Sequence, residues 1–277
     1  MPRRTVAFAA TLALVALPPA APGALSAAWA TSILPGLASK GGWVDTDGAR
    51  MRLVLGNASP DGVVDAALEI DLDPGFRTYW IAPGPAGIAP RFEAGESTNV
   101  TLESVDYPAP IRFEEVYGWS VGYDDDVALP MRFALTEPSR PATVRLSGLL
   151  GVCGEICIPV SVSFEQDVLA GVSTPIEANR ALIDARAALP VEGGTEGVTA
   201  TFDGDALVLA GTPIDNAVEV FLAPPDGLEL DPPVVADGVA RAPVLRGMAG
   251  GSATLVVREE DGSETLHHVD VPARPDA

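Results

Sequence analysis

Cysteine is nearly absent from this chain: there are two, Cys153 and Cys157, in 277 residues. Histidine is as scarce, and both copies, His267 and His268, lie far along the chain from either thiol. Two thiols without a nearby imidazole are too few for a zinc site, so no metal and no cofactor is expected. Lysine occurs once, at Lys40, and the net charge is −21. That balance excludes a nucleic-acid partner and adsorption to an anionic membrane, and the acidity itself reads as a solubility feature. Long apolar runs are missing after residue 30, so no stable membrane insertion is expected. Nucleophile elbow, P-loop, dinucleotide fingerprint and zinc motifs are missing too.

The first thirty residues read as an export signal. Arg3 and Arg4 in "MPRR" precede the apolar run "TVAFAATLALVAL", which is short for a bilayer span. Ala28-x-Ala30 in "AAWA" offers a small-residue cleavage site before Thr31. No cysteine follows the run, which excludes a lipoprotein anchor. Cleavage after Ala30 leaves 247 of the 277 residues, and loss of Arg3 and Arg4 takes the charge from −21 to −23. An exported chain meets an oxidising compartment, where two cysteines can pair.

From about Val44 to Val168 short alternating runs recur between Gly, Pro, Asn and Asp clusters. In "VVDAALEI" the apolar positions Val64, Ala66, Leu68 and Ile70 repeat every second residue, as do Val144 and Leu146 in "ATVRLSG". Period two with frequent turns predicts an all-β fold, an antiparallel sandwich. "STPIEANRALIDARAALP" then predicts a helix. Thr174 is its cap, Pro175 its first residue, and Glu177 completes a capping box. Ala178, Leu182, Ala185 and Leu189 form its apolar face, and Pro190 stops it. "EGGTEG" follows as a flexible joint. From about Val198 the β signal returns, giving a second, smaller β-sandwich. The expected organisation is a signal at 1–30, a first sandwich at 31–170, a helical linker at 171–195 and a small β domain at 196–277.

Cys153 and Cys157 flank a three-residue tip, Gly154-Glu155-Ile156, with strand-like runs on both sides. If those strands pair, the cysteines stand opposite each other at about 4.5–5.5 Å between Cα atoms, which a disulfide accepts. A loop of about five residues is worth roughly 2 kcal/mol in the loop-entropy model, against nearly 5 for about a hundred. Such a bond is a poor staple, so a redox role explains the pair better than a structural clip does. No C-x-x-C motif and no following helix N-terminus depresses a thiol pKa here. Glu155 stands between the thiols, and its charge disfavours thiolate. The pair therefore reads as a relay rather than a strong autonomous oxidant or reductant.

Three blocks, "FRTYWIAPGPAGIAPRF", "YPAPIRFEEVYGWSVGYDDDVALPMRF" and "LLGVCGEICIPVSVSFE", together resemble the N-terminal periplasmic domain of DsbD-type thiol:disulfide interchange proteins, in particular the ScsB-like branch. The resemblance spans roughly Trp43 to Val168. It implies a periplasmic location and an immunoglobulin-like sandwich with the redox pair on adjacent strands. It also implies a cap loop that shields the pair until a partner docks. The matching stretch here is Glu114, Glu115, Val116, Tyr117, Gly118 and Trp119. Val116 stands where well-studied members carry an aromatic shield, and Tyr117 and Trp119 are the neighbouring aromatics for that work. The family's partner-facing cysteine matches Cys157, which leaves Cys153 to resolve mixed disulfides. Family members continue into a membrane domain and a thioredoxin-like domain. Neither follows here, so electrons are expected from a separate thioredoxin-like or membrane donor and pass to a disulfide-containing periplasmic client. The rival reading is a non-catalytic binding or adaptor protein whose disulfide is structural. Tyr79, Trp80 and Trp119 read as core, and Asp124-Asp125-Asp126 as a polar turn rather than a calcium site.

Overall fold

The computed structural model describes residues 37–39, 41–115, 118–169, 173–194 and 197–274. The fold is all-β, as its alternation predicts, and builds two sandwiches. In the first, one sheet runs Leu37–Ser39, Cys157–Val168, Ala142–Cys153, Arg77–Tyr79, Gly118–Tyr123, Ile111–Glu115, with Arg91–Glu93 also paired to Ala142–Cys153. The facing sheet runs Val44–Thr46, Ala49–Leu55, Val63–Leu72, Val127–Leu135, Val100–Val105. Val64, Ala66, Leu68 and Ile70 are all buried between them, beside Trp80, Phe133 and Met51. Period two thus marks the inward face correctly.

The helix Ile176–Ala187 lies on the outer face of the second sheet. Leu182 and Ala185 pack there on Val54 and Ala67, which explains why Ala67 is buried although it falls out of the alternation. The capping box does not form. Pro175 is the N-cap, with no side-chain cap bond. Thr174 Oγ1 instead accepts the N–H of Asn57 at 3.0 Å, because docking the helix on the sheet gives that hydroxyl a nearer donor. Arg186, off the apolar face, reaches Asp65 at 2.5 Å.

The second sandwich pairs Val191–Gly194, Glu264–Val271, Gly251–Glu259 and Ala217–Ala223 in one sheet. Thr199–Asp203, Ala206–Ala210, Val239–Arg246 and Glu229–Leu230 form the other, with Val234–Ala236 on Val239–Arg246. The joint expected at "EGGTEG" is a strand in its first half. Val191–Gly194 pairs in parallel with the terminal strand, and a Cβ on Gly193 would stand 2.1 Å from the His267 ring. Glycine serves close approach there, not flexibility. His267 is buried by the same contact, whereas His268 is exposed. A four-residue helical turn, Thr212–Asp215, also escapes the alternation.

Several short strands carry no period-two signal of their own, among them Arg77–Tyr79 and the hairpin Ile111–Glu115 with Gly118–Tyr123. The stretch read as a cap loop is mostly this hairpin. Asp124-Asp125-Asp126 is a turn, and Asp126 Oδ1 accepts the N–H of Leu72 at 2.8 Å. Gly122 fixes the spacing in the middle of the sheet: a Cβ there would stand 2.0 Å from the Thr78 carbonyl oxygen. Gly122→Ala should therefore lower stability by about 3 kcal/mol, read as a fall in the urea midpoint at constant slope. An unchanged midpoint would refute that close approach.

Candidate functional site

The site starts from one long hairpin. Ala142–Cys153 and Cys157–Val168 pair without a break over twelve residues each, from Ala142 opposite Val168 to Cys153 opposite Cys157. Val144, Leu146, Leu150 and Val152 on one strand and Val160, Val162 and Phe164 on the other are buried, which holds the register. The register delivers the two sulfurs to each other. Cys153 and Cys157 form a disulfide, with Cα atoms 4.0 Å apart, closer than the spacing expected from an ordinary opposed pair.

The two sulfurs differ in surroundings. Cys153 is 2% exposed, whereas Cys157 is open to solvent. Arg77–Tyr79 pairs alongside Val152 and Cys153, so Cys153 lies inside the sheet. On the other side of the hairpin, Leu37–Ser39 pairs only with Val162–Phe164. Among the described residues nothing pairs outside Cys157.

Tyr79 projects its hydroxyl to the bond. Its Oη lies 2.6 Å from Cys153 Sγ and 3.0 Å from Cys157 Sγ. Burial raises the Tyr79 pKa, Glu115 adds to the rise and Arg77 opposes it, so the phenol remains an O–H donor at neutral pH. Glycines make room for its ring. A Cβ on Gly151 would stand 2.7 Å from that ring and 2.8 Å from Ile88 Cβ, and one on Gly87 3.0 Å from the ring. The Pro- and Gly-rich segment 83–88 thus covers Tyr79. The tip glycine, Gly154, stands against Phe76.

Arg77 is the residue opposite Cys153. It donates to Glu115 Oε1 at 2.8 Å and its guanidinium lies 4.4 Å over the Phe113 ring. Ser120 Oγ donates to the same Glu115 oxygen at 2.8 Å. Glu115 is therefore a tied carboxylate linking the hairpin of Ile111–Glu115 and Gly118–Tyr123 to the strand beside the disulfide. Glu114 and Gly118 are exposed. Val116 and Tyr117, which follow Glu115 in sequence, lie outside the described residues. Trp119 is not brought to the disulfide: its indole stands against Gly84 and lines a cleft between the two sandwiches.

Trp80 is core, as expected, but Tyr79 is buried for a purpose that the core reading misses. Arg77 was missed as well. The signal lay in "RTYW", where Arg77 and Tyr79 share one face of an extended strand and Trp80 takes the other.

Residues 52–169 match the family model described as "Thiol:disulfide interchange protein DsbD, N-terminal". They form a DsbD N-terminal-type domain. The crystal structure of the N-terminal periplasmic domain of ScsB from Proteus mirabilis shares the fold. Its TM-score is 0.66 at 22% identity, over 84% of this chain and 98% of that one. InvD of Yersinia pseudotuberculosis matches at 0.22 and 13% identity, over 82% and 58% of the two chains. The mouse nectin-like molecule 4 ectodomain matches at 0.19 and 14%, over 82% and 65%. The last two scores are too low to argue from. No curated protein matches the chain. The DsbD-type domain thus supplies a thiol:disulfide interchange family, and the bonded cysteine pair lies inside it. No helix among the described residues is long and apolar enough to cross a membrane.

The disulfide closes a loop of about five residues, worth at most about 2 kcal/mol. Replacing both cysteines by serine should lower stability by no more than that in equilibrium denaturation. Loss of folding would return the bond to a structural role.

Proposed function

We infer that this protein is a periplasmic thiol–disulfide relay working through Cys153 and Cys157. The observation that carries the reading is the asymmetry of the bond: one cysteine open to solvent, the other buried beside a hydroxyl donor. An incoming thiolate reaches the exposed sulfur. Attack on Cys157 Sγ forms a mixed disulfide and breaks the bond to Cys153, which leaves as a thiolate. The Tyr79 O–H, 2.6 Å away, donates to that developing charge. The donor's second thiolate then attacks its own bridged sulfur and releases Cys157. Two electrons have moved: the donor is now a disulfide and this pair a dithiol.

Electrons leave by the reverse order. Cys157 thiolate attacks a client disulfide and Cys153 attacks Cys157 Sγ to expel the client thiolate. The donor in this reading is a thioredoxin-like or membrane protein, and the client a periplasmic disulfide. Ile156, 76% exposed, and Ile158 flank Cys157 and offer apolar contact to a docking partner. Glu114 belongs to the cap in this reading, with Glu115 as its tether through Arg77.

Two outcomes test the roles. Cys153→Ser should accumulate an intermolecular mixed disulfide in the native host, seen as a higher-mass band on non-reducing gels, and Cys157→Ser far less. If neither variant traps a partner, the relay fails and the adaptor reading takes its place. Tyr79→Phe keeps the ring and removes the donor, and loss of one hydrogen bond of about 1 kcal/mol corresponds to roughly fivefold in rate. Reduction by dithiothreitol should slow by about that factor while the far-ultraviolet spectrum is unchanged. An unaltered rate would remove Tyr79 from the mechanism.

A further inference from the structure

The sheet edge next to Cys157 is open, and the ladder of the long hairpin fixes which backbone groups face it. On the inner strand, Thr143 exchanges backbone hydrogen bonds with Thr98, on the side away from Cys157–Val168. The Arg145 N–H donates to Ser97 Oγ and the Gly151 carbonyl accepts from Thr78 Oγ1, again on that side. Alternate residues of the inner strand therefore turn N–H and C=O away from their hairpin partner. The ladder runs without a slip to Cys153 opposite Cys157, so these two belong to the same set. Their 4.0 Å Cα separation is that of a close pair that exchanges no hydrogen bonds, in which both residues point their polar groups outward. Cys157 thus aims its N–H and its C=O across the free edge, and Pro159, two residues on, aims its carbonyl there. Proline stands where the missing N–H would have faced out, as an edge strand allows. Leu37–Ser39 shares this edge but pairs only with Val162–Phe164, and Cys157, Ile158 and Pro159 are all exposed.

The line of the chemistry crosses the same edge. Displacement at a disulfide sulfur is in line, with the entering thiolate opposite the leaving one. The bond runs from Cys153 on the inner strand to Cys157 on the outer one. A thiolate that attacks Cys157 Sγ and expels Cys153 as thiolate therefore approaches over the free edge. In the return step Cys153 thiolate attacks Cys157 Sγ, and the partner's sulfur leaves along that line with the bonding pair. The partner's cysteine then stands beside Cys157, on the side to which Cys157 turns its own N–H and C=O. A cysteine at a helix N-terminus would meet those groups with N–H donors alone. An extended one offers N–H and C=O together, and its side chain lies on the same face as that of Cys157.

We propose that this edge takes an extended segment of the partner as an added antiparallel strand, with the partner's reacting cysteine opposite Cys157. That cysteine exchanges both backbone hydrogen bonds with Cys157, and the residue two before it donates to the Pro159 carbonyl. Cys153, Cys157 and the partner's cysteine then form one row across the sheet. Main-chain pairing supplies the recognition. The inference rests on the relay reading and narrows its client to a disulfide with one sulfur on an extended, unpaired segment.

The probe is the thiol peptide acetyl-Thr-Val-Cys-Thr-amide, added to the oxidised wild-type protein. Its rate of mixed-disulfide formation, read as intact mass after acid quench, is compared with the rates of two analogues. N-methylation of the cysteine removes a donor that the pairing uses and should slow attack roughly fivefold, the worth of one hydrogen bond. N-methylation of the valine, whose N–H faces away from the edge, should leave the rate unchanged. In Cys153→Ser with the peptide bonded to Cys157, the Cys157 amide should exchange with solvent about fivefold more slowly than with cysteamine in its place. A peptide no faster than its N-methyl-cysteine analogue overturns the proposal, and so does equal slowing by both methyl groups. Unchanged exchange of the Cys157 amide overturns it too, and the wild-type rates decide alone if Cys153→Ser does not fold. Failure to trap a partner in the host is a separate result: it removes the relay, whereas these small thiols test the edge itself.

Discussion

The pairing of Ala142–Cys153 with Cys157–Val168 is the constraint from which the site follows. Twelve opposed pairs run from Ala142 and Val168 to the two cysteines, and one face of both strands is sealed in the core. A slip of one residue would turn that face to solvent and move each cysteine off its partner. The same register puts Gly151 where the Tyr79 ring needs space and sets Arg77 opposite Cys153. Exposure of a single cysteine is also a matter of strand order. Cys153 is on the inner strand of the hairpin and has Arg77–Tyr79 beside it. Cys157 is on the outer strand, whose next neighbour pairs only from Val162 to Phe164.

A second line of force runs through Ile111–Glu115. Just before it, the Pro110 carbonyl accepts from Arg258 at 2.8 Å. Within it, Arg112 donates to the Val220 carbonyl at 3.3 Å, and at its end Glu115 is held by Arg77. Phe221, from the second sandwich, is buried in the core of the first, beneath the guanidinium groups of Arg112 and Arg258. One short strand therefore touches the second sandwich at its start and the neighbourhood of the disulfide at its end. The second sandwich acts as a splint for this hairpin, because the strand cannot shift without breaking contacts in both places.

Much of this was legible in sequence, for reasons that differ by element. The long strands announce themselves because one face is buried and the other is not, as at Val64, Ala66, Leu68 and Ile70. The cysteine hairpin was legible because two strong runs flank a three-residue tip. Arg77–Tyr79 was not: three residues carry too little alternation, and their pairing depends on strands more than forty residues away. The Tyr79 hydroxyl bond to the sulfurs is tertiary in the same way, since no local rule aims a phenol at a disulfide. Trp119 looked like a shield because it is near Gly118 in sequence, but strand parity turns it to the face shared with Val121 and the cleft. The capping box failed where a tertiary donor, Asn57, competed successfully for Thr174.

The stability of the domain and the lability proposed for its disulfide are compatible because different interactions would supply them. The hairpin is held by its ladder and by side chains such as Leu146, Val152 and Phe164 packed into a core that also takes Trp80 and Phe133. The bond at its tip adds at most about 2 kcal/mol, and less where the strands already close the loop. Opening it leaves the ladder intact, so the two thiols stay opposed and the ring of Tyr79 stays wedged over Gly151. A reduced pair in that position has lost little freedom and needs little reorganisation to close again. A larger loop would have made the disulfide a better staple. It would also have made each reduction an unfolding event, which the proposed relay could not tolerate.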